Sequence, residues 1–173
     1  MTIAIVMGVS GSGKTTIARG LAQAEGWILL EGDQFHPPAN IAKMKAGIPL
    51  ADEDRWPWLH AIAQREDELL AAGQSAVVAC SALKRAYRDI LIANRPNALL
   101  VYLRGSKELI AERMKTRKDH FMPPALLDSQ FATLEEPGPD EHPIIVDIGG
   151  PPDAVIQDAI RQLKERQLKE HMP

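Results

Sequence analysis

The chain has 173 residues, with 20 Lys plus Arg against 23 Asp plus Glu, a net charge of −3 and a single cysteine. That length suits one domain burying roughly two thirds of the unfolded chain's surface without disulfide help, and the lone Cys80 suits a reducing compartment. The charge balance gives no general attraction to nucleic acid or anionic membrane, so any anion site has to be local.

The chain begins "MTIAIVMGV", an apolar run with no basic flank and no cleavage-like site. It falls far short of the roughly 20 residues that span a bilayer, and the expectation is a cytoplasmic protein with no membrane association. "IAIVM" at 3–7 is the first of five apolar runs without strict polar alternation. The others are "WILLE" at 27–31, "SAVVAC" at 75–80, "ALLVYL" at 98–103 and "PIIVDI" at 143–148. Each reads as a strand covered on both faces. Helical periodicity fills the intervals at Thr15–Ala24, Trp58–Ala72, Arg85–Ala93 and Lys107–Lys118. Strand then helix, repeated, predicts an α/β fold with a parallel sheet and right-handed crossovers. Ligands in such sheets bind beyond the carboxyl ends of the strands.

The segment after the first strand, "GVSGSGKT", places Gly8, Gly13, Lys14 and Thr15 in the spacing G-x-x-x-x-G-K-[ST] between a strand and a helix. Glycines let consecutive N–H groups turn inward at phosphate oxygens, and the helix start adds its positive end. The expected nucleotide-binding set is Gly8, Ser10, Gly11, Ser12, Gly13, Lys14, Thr15 and Thr16. Lys14 is expected on the β and γ phosphates and the Thr15 hydroxyl on Mg²⁺. The guanine-reading N-K-x-D is absent, "VVAC" lacks the closing Asp of a usual Walker B strand, and "DIGG" at 147–150 reads as a strand end and turn. Metal binding then rests on Thr15, with Glu31 or Asp33 as further candidates.

The second strand leads into "EGDQFHPPANIAKMKAGIPLADEDRWPWL". Asp33 stands where an attacking hydroxyl must come, and is expected to take its proton or orient it; a capping role is the alternative. His36 either hydrogen-bonds a polyol or is structural. Asp52 or Asp54 is expected to cap the following helix, with Pro57 in its first turn. Arg55 opposes the helix dipole there, so it either binds a carboxylate or offsets the neighbouring Asp residues. After the third strand, Lys84 and Arg88 in "CSALKRAYRD" are four apart and suit a carboxylate or phosphate, or form an exposed basic face. Two stretches, 34–57 and 117–142, are too long for simple turns and read as binding loops or lids. The C-terminal helix is expected from Pro152 or Asp153, burying Val155, Ile156, Ala159, Ile160 and Leu163. The tandem "RQLKERQLKE" rotates its second leucine about 140° from its first, and reads as a solvated, fraying tail.

Taken together, "MGVSGSGKTT", "GDQFHPPANIAKMKAGIPLADEDRWPWL", "CSALKRAYRDIL" and "HFMPPALLDSQFATLEEP" resemble the motifs of the gluconokinase family, small P-loop kinases related to shikimate and nucleoside monophosphate kinases. The resemblance runs from about Ile3 to Ile148. It implies a five-stranded parallel sheet of order 2-3-1-4-5, and ATP- and Mg²⁺-dependent phosphorylation of D-gluconate at its 6-hydroxyl. It also implies Arg113 on adenine and Arg117 over the transferred phosphate, where a solvated helix flank is the alternative. A lid over about 117–125 follows, with His120 and Gln130 meeting substrate as it closes. The catalytic set is then Lys14, Asp33 and Arg117, and the acid-gripping set Arg55, Lys84, Arg88 and His36, within a single domain spanning 1–173. A homodimer is common in the family, although no residue here indicates one. Shikimate or another small carboxylated polyol as acceptor, or a nucleotide-dependent switch, are the competing readings.

Overall fold

The computed structural model describes residues 1–116 and 124–172. Five strands, β1 (Ile3–Met7), β2 (Ile28–Glu31), β3 (Ala76–Ala79), β4 (Ala98–Arg104) and β5 (Ile144–Asp147), form one sheet of order β2-β3-β1-β4-β5. Every neighbouring pair is parallel, with Val6 of β1 in register with Ala79 on one side and Val101 on the other. The observed order agrees with the expected one, and each predicted strand lies within two residues of its observed ends.

Successive side chains of a strand point to opposite faces, and β1 divides accordingly. Ala4 and Val6 join a core under α1 (Lys14–Glu25) and α7 (Pro152–Glu170), where they meet Ile17, Leu21, Val155 and Leu163. Ile3, Ile5 and Met7 face α3 (Asp52–Ala71) and α4 (Arg85–Ile92), packing with Leu59, Ile62 and Leu91. All five β1 side chains are fully buried, as a central parallel strand without polar alternation requires.

Several expectations need correction. The stretch 34–57 is not a loop: a 3₁₀ turn at Gly32–Phe35 leads into α2 (Pro38–Lys45), and α3 starts at Asp52. Pro57 therefore lies in the second turn of α3, where it removes a backbone hydrogen bond. Of the two expected caps, Asp54 is the one that serves, its Oδ2 accepting the Ala51 N–H at 2.8 Å. The helix α5 covers Lys107–Lys115, and a further helix, α6 (Pro124–Thr133), occupies what was expected to be loop. The expected lid falls largely on 117–123, outside the described residues.

The tail also differs. Leu163 is fully buried and Leu168 is 69% exposed, as the five-residue period demands, but α7 does not fray before Glu170. Arg161 pairs with Asp158 at 2.5 Å and Glu165 at 2.9 Å, and Arg166 donates to the His142 carbonyl at 2.8 Å. These i,i+3 and i,i+4 pairs, with a tether to the sheet edge, hold the last turns helical. Among the described residues, no helix is long and apolar enough to cross a membrane.

Candidate active site

The phosphate loop joins β1 to α1. Gly13, with φ +94°, takes the left-handed conformation that glycine tolerates, and α1 begins beside it without a side-chain cap. The first-turn N–H groups of α1 therefore have neither an intrahelical nor a capping partner. Ser12 Oγ is buried and has no hydrogen-bond partner, an orphan that an anion in the loop would satisfy. Lys14 Nζ donates to the Gly8 and Val9 carbonyls, each at 3.1 Å, which holds the ammonium inside the loop. Burial pushes its pKa down, opposed by the carboxylates of Asp33 and Glu31. A phosphate bound there would oppose that shift and favour the charged form. A cavity of about 280 Å³ beside the loop is lined by Gly11, Gly13, Thr16, Arg113 and Pro152, and Arg113 is fixed there by donating to the Gly150 carbonyl at 2.8 Å. The "DIGG" turn thus supports Arg113 and closes on itself, Gly149 N–H donating to Asp147 Oδ1 at 2.8 Å.

Beyond the end of β2 the chain presses against β3. A Cβ on Gly32 would lie 2.6 Å from the Ala79 carbonyl, so only glycine fits. Trp58 Nε1 donates to the Gly32 carbonyl at 2.7 Å, pinning the turn that presents Asp33. Asp33 is solvent-exposed. Thr15 Oγ1 donates to Glu31 Oε2 at 3.1 Å, placing a hydroxyl and a carboxylate together at the mouth of the loop. His36 stacks on Trp58 with centroids 4.3 Å apart, and Nδ1 lies 3.2 Å from the Asn40 amide. Burial lowers its pKa; Asp33 opposes that shift and Arg55 adds to it, so His36 lies within electrostatic reach of both.

Arg55 and Lys84 converge on Tyr87, their charged ends 5.6 and 5.7 Å from its ring centroid. Arg55 Nη1 donates to the Tyr87 hydroxyl at 3.2 Å, and Trp56 packs edge-on against the same ring. Asp52 closes the group. It accepts from Lys84 Nζ at 3.2 Å on both oxygens and from the Tyr87 hydroxyl, with Arg55 Nη1 3.8 Å away. The Tyr87 bond, and then Lys84, hold the Asp52 carboxyl below its usual range. Burial and Asp52 push the Tyr87 hydroxyl up to about 12. Neither Tyr87 nor the inward turn of Asp52 was anticipated, although the i,i+3 spacings Asp52–Arg55 and Lys84–Tyr87 carried a signal for both.

Arg88 does not belong to this group. Its side chain is 1% exposed; Nε and Nη2 bind the Glu141 carboxylate at 2.7 and 3.1 Å, and Nη1 donates to the Ala82 and Leu83 carbonyls. Lys84 precedes α4 rather than riding its face, so the two side chains diverge. Gln130 of α6 reaches the other side of the site. Its Oε1 accepts the Ser10 N–H at 2.6 Å, so it touches the phosphate loop. Arg117 and His120 lie outside the described residues. A larger concavity, about 710 Å³, runs past the start of β4, away from the strand ends. Its guanidinium groups are already engaged, Arg85 by Asp140, Arg88 by Glu141, Arg95 by Asp67 and Arg166 by the His142 carbonyl, so the smaller cavity is the one placed for chemistry.

Comparison with known proteins converges on one kind of enzyme. Residues 3–137 match the family described as AAA domain. A gluconokinase from Gluconobacter oxydans (strain 621H) is 48% identical over 160 residues, covering 92% of this chain and 90% of its own. The thermoresistant gluconokinase of Escherichia coli (strain K12) is 42% identical, covering 94% of each. The crystal structure of a gluconokinase from Sinorhizobium meliloti 1021 superposes with a TM-score of 0.88 at 44% identity, covering 99% of this chain and 98% of that one.

Proposed function

This chain belongs to the gluconokinase family, and from that premise we propose that it transfers the γ-phosphoryl group of ATP to the 6-hydroxyl of D-gluconate, giving 6-phospho-D-gluconate and ADP. The observation that supports this reading is the run of polar and charged groups beyond the strand ends, from Lys14 in the loop after β1, through Asp33 and His36 after β2, to Arg55 and Lys84, which share Tyr87 and Asp52. A linear acid with a hydroxyl at the far end fits such a run.

The uncapped start of α1 and the orphan Ser12 hydroxyl suit a polyphosphate. Oxygen donors Thr15 and Glu31 suit a hard cation such as Mg²⁺, which when bound neutralises charge on the β and γ oxygens. The loop N–H groups and Lys14 orient the γ-phosphate, and Arg113 flanks the nucleotide. Arg55, Lys84 and the Tyr87 hydroxyl receive the carboxylate, and His36 faces the polyol between them. Asp33 takes the proton of the 6-hydroxyl as its oxygen bonds to the γ-phosphorus. The bond from phosphorus to the β,γ-bridging oxygen breaks, and its electron pair leaves with ADP. Arg117 is the cation we assign to the transferring group, and residues 34–57 with the 117–125 lid form the acceptor side of the single domain.

Coupled ADP release measured against gluconate, shikimate, glycerate and a ribonucleoside monophosphate tests this reading. Gluconate should be the preferred acceptor, with ADP released only when it is supplied. A stronger response to another acceptor would reassign the substrate, and nucleotide binding with no acceptor response would favour a switch.

A further inference from the structure

Asp52 is an odd residue to find in a bay meant for an acid. It is not there to cap α3, since Asp54 does that while also binding Lys43 at 2.8 and 2.9 Å. It turns instead toward the two cations that the carboxylate requires. The Asp52, Lys84 and Arg55 side chains remain 38, 33 and 27% exposed, so an entering ligand reaches all three. Counting Arg55, Lys84 and Asp52 together, the bay carries one net positive charge rather than two. The nearby Asp54 is engaged by Lys43, and His36, with its lowered pKa, adds little positive charge near neutrality.

We propose that Asp52 is a specificity residue that matches the charge of the acid bay to a single carboxylate and turns away dianions such as sulfate and phosphate monoesters. The inference rests on the reading that Arg55 and Lys84 receive the acid end of the substrate. A monocarboxylate brings one negative charge to a bay of one net positive charge. A dianion brings a second, next to a fixed carboxylate that is held by three partners and cannot swing clear without breaking those contacts. Discrimination of this kind comes from a repulsive element placed beside the attractive ones. It also disfavours the product bound backwards, with its phosphate in the acid bay. The Tyr87 hydroxyl has a particular part here. It donates to Asp52 while accepting from Arg55, and so fixes the carboxylate between the cations.

The test is inhibition by sulfate, competitive against gluconate, at saturating ATP and with ionic strength held constant by chloride, since exposed charges are screened by salt. In Asp52→Asn the inhibition constant for sulfate should fall by about threefold to tenfold relative to the unaltered enzyme, the effect of one charge at a partly exposed site. Asp52→Glu, which restores the charge, should recover most of the discrimination. An unchanged or weaker sulfate inhibition in Asp52→Asn overturns the proposal. So does a rise in both the gluconate KM and the sulfate constant, because Asp52 would then only be holding Lys84 and Arg55 in place. Lys84→Met separates this failure from a failure of the underlying reading. If it raises the gluconate KM while Asp52→Asn leaves sulfate inhibition unchanged, only the charge-matching inference falls. If Lys84→Met leaves the gluconate KM unchanged, the bay is not the acid site. Asp52 is 38% exposed and does not cap α3, so thermal melts of both Asp52 variants should stay close to the parent's, and each serves as a check on the other.

Discussion

At the phosphate loop the groups facing a ligand are backbone N–H groups, one lysine and the Ser12 and Thr15 hydroxyls, all within a single strand-to-helix turn. At the proposed acid bay they are side chains, Arg55, Lys84, Tyr87 and Asp52, drawn from two helices and the residue before one of them. The first is written into eight consecutive residues and changes little when surface side chains change. The second is assembled from afar and is tuned by single substitutions. A kinase needs both, a phosphate grip that any ATP-using relative can share and an acceptor grip that distinguishes one acid from another.

Arg88 is the sharpest test of which cations belong to which region. Arg88→Met leaves the nearly buried Glu141 carboxylate without its partner, and stability should fall by about 3–5 kcal/mol in denaturant titration. The gluconate KM of the folded fraction should not move. A raised KM with intact stability would return Arg88 to the acid bay.

Lys14→Met probes the other region. Removing a charged donor from a preorganised loop should lower kcat with ATP by about 10²–10³ while leaving gluconate binding intact by calorimetry. Weakened gluconate binding would mean that the two regions are not separable.

The smallest effect comes from the helix that carries Arg55 and Asp52. Glu66 of α3 is fully buried, neither of its oxygens has a hydrogen bond, and Arg95 Nε is 3.5 Å away. Burial raises its pKa from 4.5 to about 8. Across that window the folded chain holds a proton that the unfolded chain releases, so this group's contribution to stability declines as pH rises from 4.5 to about 8. Glu66→Gln cannot ionise, and its Tm relative to the parent should climb over the same range by about 4 °C or more. A parallel pH dependence of the two Tm values would mean that Glu66 ionises freely.

The legibility of these features from sequence follows the same division. The phosphate loop and the five strands were readable because their determinants are local: an apolar run and a glycine spacing. Lys84 and Arg88 look alike on a helix drawn from sequence, and only the arrival of Glu141 beside α4, 53 residues farther on, separates a ligand-facing cation from a scaffold one. Gln130 meets Ser10 across 120 residues of chain, a contact no local pattern carries. The helix α6 was missed because "PALLDSQFAT" spreads its apolar residues around the axis, leaving no stripe to read. Asp52 and Asp54 could not be told apart because a carboxylate at a helix start is ordinarily a cap, and only the tertiary partners Lys84 and Tyr87 single out Asp52.

In the proposed mechanism the two regions meet at Asp33, and Asp33→Asn tests that junction most directly. Calorimetry should find ATP and gluconate bound about as well as by the parent, while turnover drops by about 10²–10⁴, the share expected of a proton-accepting carboxylate. Near-normal turnover, or loss of ATP binding alongside activity, would contradict the account.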